Sequence, residues 1–157
     1  MSSAAKVTTL RELMASNGRA GKPVYIVYQG RVFDVSASDW WASGEHMSLH
    51  HAGRDLTEAI KAAPHGTEVL ERFPQIGFLE KLKEFSPKEL SEYNGKAGKP
   101  AYVAFEGVVY DVTASESWEK GVHMDTHQAG QDLTRQFPDA PHGFELLAKY
   151  PIVGILK

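Results

Sequence analysis

The chain has 157 residues, of which 42% are apolar and 24% charged, and its formal net charge is −3. This is the balance of an ordinary globular protein, and its scattered single Lys and Arg exclude the basic stripe with which nucleic-acid binders displace counterions. With no cysteine, disulfides, thiolate nucleophiles and iron–sulfur clusters are excluded, so any metal or cofactor must be held by His, Met, Tyr or carboxylate. No apolar run reaches the roughly 18–20 residues of a membrane span, and the first six residues lack the apolar stretch of a secretory signal. A soluble, cytoplasmic protein is expected.

Residues 8–80 align with 85–157 at a constant offset of 77, without a gap, and roughly half of the positions are identical. A period this long suits a self-contained small domain rather than a solenoid repeat, so the chain reads as two tandem domains, 1–80 and 81–157. In chain order, each opens with a capping box, Thr9 to Glu12 and Ser86 to Glu89, with Pro87 at the first helical position of the second copy. A short helix follows and stops at Asn17-Gly18 or Asn94-Gly95. Two β-type runs come next, 24–28 and 31–36 in the first copy, 101–105 and 108–113 in the second. They join through Gln29-Gly30 and Glu106-Gly107 as hairpins. The first copy then turns short-helical over 46–52, 55–63 and 67–73, with breaks at Gly53 and at Pro64-His65-Gly66. After Pro74, Ile76-Gly77-Phe78-Leu79 is a closing strand. A small mixed sheet with short helices on one side is an α+β domain with a cleft for a flat ligand.

Six of the seven histidines form three matched pairs across the repeat: His46 with His123, His50 with His127, and His65 with His142. Only His51 is unmatched, facing Gln128. All six lie in the helical half. Three histidines kept in each copy, where half of the other positions have diverged, point to coordination rather than to space-filling. Two arrangements fit. His46 and His50, four apart, would face one way on a helix, and with His65 could bind zinc through three imidazoles. Alternatively, histidines from opposite sides of a cleft could hold a haem iron from above and below. His65 and His142 each stand between Pro and Gly at a bend, which puts the imidazole at a cleft rim. Spacing alone leaves both arrangements open.

The order of features resembles the cytochrome b5-like haem/steroid-binding family. It begins with an opening Glu-Leu helix and the strand motif Tyr-Val-Ala-Phe-Glu-Gly-Val-Val-Tyr-Asp-Val-Thr (102–113). Ala-Gly-x-Asp-Leu-Thr follows at 52–57 and 129–134, with a His-Gly bend thirteen residues after the Ala and Pro-x-x-Gly-x-Leu at the end. The resemblance covers nearly all of both repeats and implies that His65 and His142 are axial haem ligands. Neither copy has the His-Pro-Gly-Gly loop that supplies the first ligand in well-known cytochromes b5. In its place stand Trp41-Ala-Ser-Gly44-Glu-His46-Met47 and Trp118-Glu-Lys-Gly121-Val-His123-Met124, a Trp-x-x-Gly-x-His pattern similar to the bacterial branch of the family. Trp41 falls where the usual ligand would be. The first ligand is then expected from a rebuilt loop, with His46 and His123 favoured because the preceding glycine frees the chain. His50 and His127 are the alternatives. Trp41, Met47, Trp118 and Met124 are expected to line the cleft wall.

The resemblance implies two non-covalent haem b groups per chain and an electron carrier that works with a redox partner protein. No activated serine, paired carboxylates or phosphate loop argues for an independent catalyst. Two other functions remain open from the sequence: a module for haem sensing, storage or delivery with an exchangeable ligand, and a zinc- or small-apolar-ligand-binding interaction domain without haem.

Overall fold

Capping decides where the first unit begins. Thr9 accepts from the Glu12 amide at 3.1 Å, and the Glu12 carboxylate accepts from the Thr9 amide at 2.9 Å. The pair satisfies two amides that a helix start would otherwise leave unbonded. In the computed structural model, which describes residues 6–123, 125–136 and 144–157, this cap separates β1 (Val7–Thr8) from α1 (Leu10–Ala15). The chain divides into two compact units, 1–81 and 82–157.

The hairpin of β2 (Tyr25–Tyr28) and β3 (Arg31–Asp34) follows. Next come a 3-10 segment at Asp39–Gly44, a two-stranded ribbon of β4 (Glu45–His46) and β5 (His50–His51), and helix α2 (Thr57–Lys61). A second 3-10 segment, Thr67–Arg72, leads into β6 (Gln75–Leu79). The sheet order is β1-β6-β3-β2, with β1 parallel to β6 and the other pairs antiparallel. Side chains alternate across a strand. Ile26, Tyr28, Phe33 and Val35 accordingly pack with Trp41, Leu56 and Leu70 in one cluster, while Val27 and Val32 are buried on the opposite face.

The second unit repeats this plan with β7 (Glu84–Phe85), α3 (Pro87–Ser91), β8 (Tyr102–Phe105) and β9 (Val108–Asp111). The ribbon of β10 (Val122–His123) and β11 (His127–Gln128) and the closing β12 (Ile152–Leu156) complete it. Its sheet order is β7-β12-β9-β8.

The Ala-Gly-x-Asp-Leu-Thr motif covers the open edge of each hairpin. Gly53 N donates to Tyr25 O at 2.7 Å, Val27 N to Arg54 O at 3.1 Å, and Leu56 N to Val27 O at 2.8 Å. Thr57 Oγ1 then accepts from Gln29 N at 2.8 Å. The second copy repeats the pattern through Gly130, Gln131, Leu133 and Thr134. Asp55 therefore belongs to the sheet edge, paired with Val27, rather than capping a helix. Its carboxylate accepts from the Thr57 amide at 3.0 Å and ties the staple together, and α2 starts only after it.

The helices differ from the sequence expectation. Residues 46–52 form a ribbon, not a helix, because Met47 and Ser48 take left-handed φ values of 53° and 56° that a right-handed helix cannot contain. The helix expected over 55–63 shortens to Thr57–Lys61, since 53–56 are committed to the sheet edge. The segment expected over 67–73 is 3-10 helix.

Two outcomes follow from this packing. Gly44 has φ +79°, and a Cβ there would run into the Asn17 carbonyl oxygen. Gly44→Ala should therefore destabilise the first unit by at least about 2 kcal/mol, read as a lower urea midpoint. Gly30→Ala, at a similar φ but with nothing within 4 Å, should cost about 1 kcal/mol or less. In the second unit, the bond from the Ser86 backbone and then that from its side chain hold the Glu89 carboxyl below its ordinary value of 4.5. A lowered folded-state pKa contributes stability above the unfolded value, lost as pH falls through the folded value. Glu89→Gln should flatten the stability–pH curve below about pH 4.5, measured by urea unfolding at stepped pH.

Candidate functional site

The site is assembled from the 3-10 segment Asp39–Gly44 outward. Ser38 Oγ accepts from Trp40 N at 3.3 Å, and the chain then doubles back through left-handed Ser43 and Gly44. Gly44 rests directly on the backbone of Asn17 and Gly18, where the chain leaves α1. The turn sends Trp41 into the core, 9% exposed, and leaves Trp40 on the surface. β4 begins at the residue after Gly44, Glu45.

His46, half-buried, comes two residues after Gly44. Its ring stacks on Trp41 with centroids 5.0 Å apart and planes at 23°. Its Nδ1 lies 3.1 Å from the Trp40 carbonyl oxygen. A carbonyl only accepts, so this bond requires the proton on Nδ1 and leaves Nε2 with a free lone pair. A backbone carbonyl holding one ring nitrogen is how proteins commonly orient a metal-binding imidazole.

Ribbon pairing places His50 directly across from His46. The two rings are 6.2 Å apart between centroids and nearly parallel, at 18°. The adjoining cross-strand pair is Glu45 with His51, 3.7 Å between carboxylate oxygen and Nδ1. His65, exposed at the Pro-His-Gly bend, stands edge-on to His46 with centroids 6.0 Å apart and planes at 76°. The structure thus gathers His46, His50 and His65, with His46 in the middle.

The second unit reproduces the described part of this arrangement. Trp118 stacks on His123 at 4.9 Å and 23°, and His123 faces His127 at 6.0 Å and 18°. Trp118 and His123 are buried. Met124 and His142 lie outside the described residues.

Two expectations change. The zinc arrangement assumed a helix over 46–50, but those residues form the ribbon. Among the described residues, no three His, Asp or Glu side chains form a group that could hold a metal ion. Met47, expected on the cleft wall, is 69% exposed at the ribbon turn. Trp41 and Trp118 are buried, each stacked beneath an imidazole. The Trp40 carbonyl was not foreseen. The only hint of it in sequence was the Gly two residues before His46, which marks a reversal able to bring the 40–41 backbone back onto the ring.

Sheet, short helical layer and clustered imidazoles define a small α+β ligand-binding module, present twice. The chain belongs to the cytochrome b5-like haem/steroid-binding domain family, whose model matches residues 9–82 and again 86–157. Among solved structures, a cytochrome b5 domain protein from Hadesarchaea YNP_N21 is 55% identical over 48% of this chain and 100% of its own, with a TM-score of 0.48. One from Methanococcoides burtonii is 48% identical over 49% of this chain and 100% of its own, TM-score 0.48. A hypothetical protein from Arabidopsis thaliana, described as having a cytochrome b5-like fold, is 30% identical over 48% and 91%, TM-score 0.39. No curated protein matches the chain. Among the described residues, no helix is long and apolar enough to cross a membrane.

The hydrogen bond to Trp40 fixes a testable tautomer. Nitrogen NMR of the ligand-free protein at a pH where His46 is neutral should show its Nδ1 protonated and its Nε2 bare. The reverse assignment would remove the claim that the ring is pre-oriented.

Proposed function

We propose that each unit binds one haem b non-covalently and that the chain carries electrons. His46 with His65 and His123 with His142 would hold the two haem irons, in domains 1–80 and 81–157. The observation that carries this reading is the pair His46–His65, with centroids 6.0 Å apart. His46 and His65 would hold the haem iron of the first unit between them. The bare Nε2 of His46 and the family's haem-binding character agree with that fit.

Haem b between two imidazoles supplies a one-electron ferric/ferrous couple. The chain's own part is orientation and exclusion. The Trp40 carbonyl holds the His46 ring against rotation, Trp41 backs it, and the buried face of Trp41 keeps water from that side. With two histidines holding each iron, neither unit would offer substrate a coordination position, which favours a carrier over a catalyst. Such a carrier would work with a redox partner protein in the cytoplasm.

The test is a haem titration of the purified chain followed by visible spectra of both oxidation states. A sharp Soret band, split α and β bands on reduction, and saturation at about two haems per chain are expected for paired imidazole ligation. His65→Ala combined with His142→Ala should abolish the low-spin spectrum. Absence of a saturable band would overturn the haem reading, and saturation at one would overturn its extension to both units.

A further inference from the structure

We propose, resting on the haem reading above, that His50 and His127 are reserve axial ligands that take the iron when His46 or His123 leaves it. The argument begins with register. His46 and His50 are direct cross-strand partners, as are His123 and His127. Side chains of directly opposed residues project from the same side of a two-stranded ribbon, so each unit presents two imidazoles on one side of one ribbon. Their geometry is the same in both units, 6.2 Å and 18° against 6.0 Å and 18°.

The ribbon itself does not require an imidazole at the second position. The neighbouring pair is Glu45 with His51 in the first unit and Val122 with Gln128 in the second. That exchange, from a carboxylate–imidazole pair to an apolar–amide pair, leaves the register and the ring geometry almost unchanged. Side chains in the adjoining pair are thus interchangeable, while the paired histidines are present in both copies.

The ribbon is also short and lightly covered at its tip. Each strand has two residues, an isolated ribbon of that length is marginal in water, and its tip carries Met47 and Leu49 at 69% and 73% exposure. Little packing opposes a tilt that advances one ring as the other withdraws. The base, by contrast, is clamped by Ala52 N donating to Gly44 O at 2.8 Å, so the movement is local.

The two histidines are not equivalent. His46 is held by the Trp40 carbonyl and backed by Trp41, which makes it the resting ligand, and His50 lies one ring further out. In the exchange one iron–nitrogen bond breaks and one forms. A neutral imidazole leaves and a neutral imidazole enters, so neither the charge nor the oxidation state of the iron changes.

The experiment uses the full chain reconstituted with haem and reads ferric spin state by electron paramagnetic resonance and resonance Raman. The His46→Ala, His123→Ala double variant should remain six-coordinate and low-spin with shifted g values. Adding His50→Ala and His127→Ala should convert the signal to high-spin. Added imidazole should then restore the low-spin signal, showing that the cleft of the fourfold variant is folded. The proposal is overturned if the double variant is already high-spin or takes up no haem, or if the fourfold variant stays low-spin without imidazole. A wild-type chain that binds no haem would instead remove the underlying haem reading, and the reserve ligand with it.

Discussion

The close approach of Gly44 to the Asn17–Gly18 backbone, repeated by Gly121 against Asn94 and Gly95, is the constraint on which the site depends. Two backbones can touch this closely only where neither carries a Cβ in the way, and both glycines also take the left-handed φ that side chains rarely adopt. The contact ties the segment after the hairpin to the end of the opening helix. From that anchor Trp41 is driven into the core, and the chain leaves at the angle that lays His46 over it. The position of the imidazole is thus fixed by main chain, two residues away, rather than by contacts to its own ring alone.

Much of this was legible in the sequence where local chemistry decides. The capping boxes, the two hairpins, the closing strands and the duplication all follow from short-range signals that no tertiary contact overrides. The stretch 46–52 was not legible. A four-residue spacing of histidines satisfies a helix, and it equally satisfies a pair facing across a tight ribbon. Only the left-handed turn at Met47 and Ser48, a choice made by the surroundings, distinguishes the two. Asp55 is ambiguous for a related reason: Asp before Leu-Thr is the pattern of a helix cap and also of an edge staple. The histidine cluster was visible because imidazoles are chemically conspicuous. The carbonyl that orients His46 was not, since every residue has one.

The two units show which parts of the design tolerate change. In the second, Phe85 lies edge-on to Tyr93 and Tyr102, which stack at 4.4 Å, with Lys83 Nζ 4.7 Å from the Phe85 ring centroid. The first unit has Thr8, Ser16 and Tyr25 at the matching positions, and its Thr8 hydroxyl is buried. Thr8 and Ser16 stand where the second unit has Phe85 and Tyr93, while the Trp–His stacks differ by 0.1 Å between 5.0 and 4.9 Å. Stability and site geometry are therefore carried by separable regions, and each unit reaches a similar site over a different foundation.

The edge staple has a further consequence for a chain of this kind. Two closely similar sequences joined head to tail invite misassembly, in which a strand of one copy pairs into the sheet of the other or of a neighbouring molecule. The vulnerable edge is the outer strand of each hairpin, and unpaired edges of that sort template such exchange. Here residues 53–56 and 130–133 occupy that edge from within the same unit, and the opposite edge is a strand of only two residues. The duplication is thus protected against strand exchange by a segment that also carries the chain from the ribbon to the next helix.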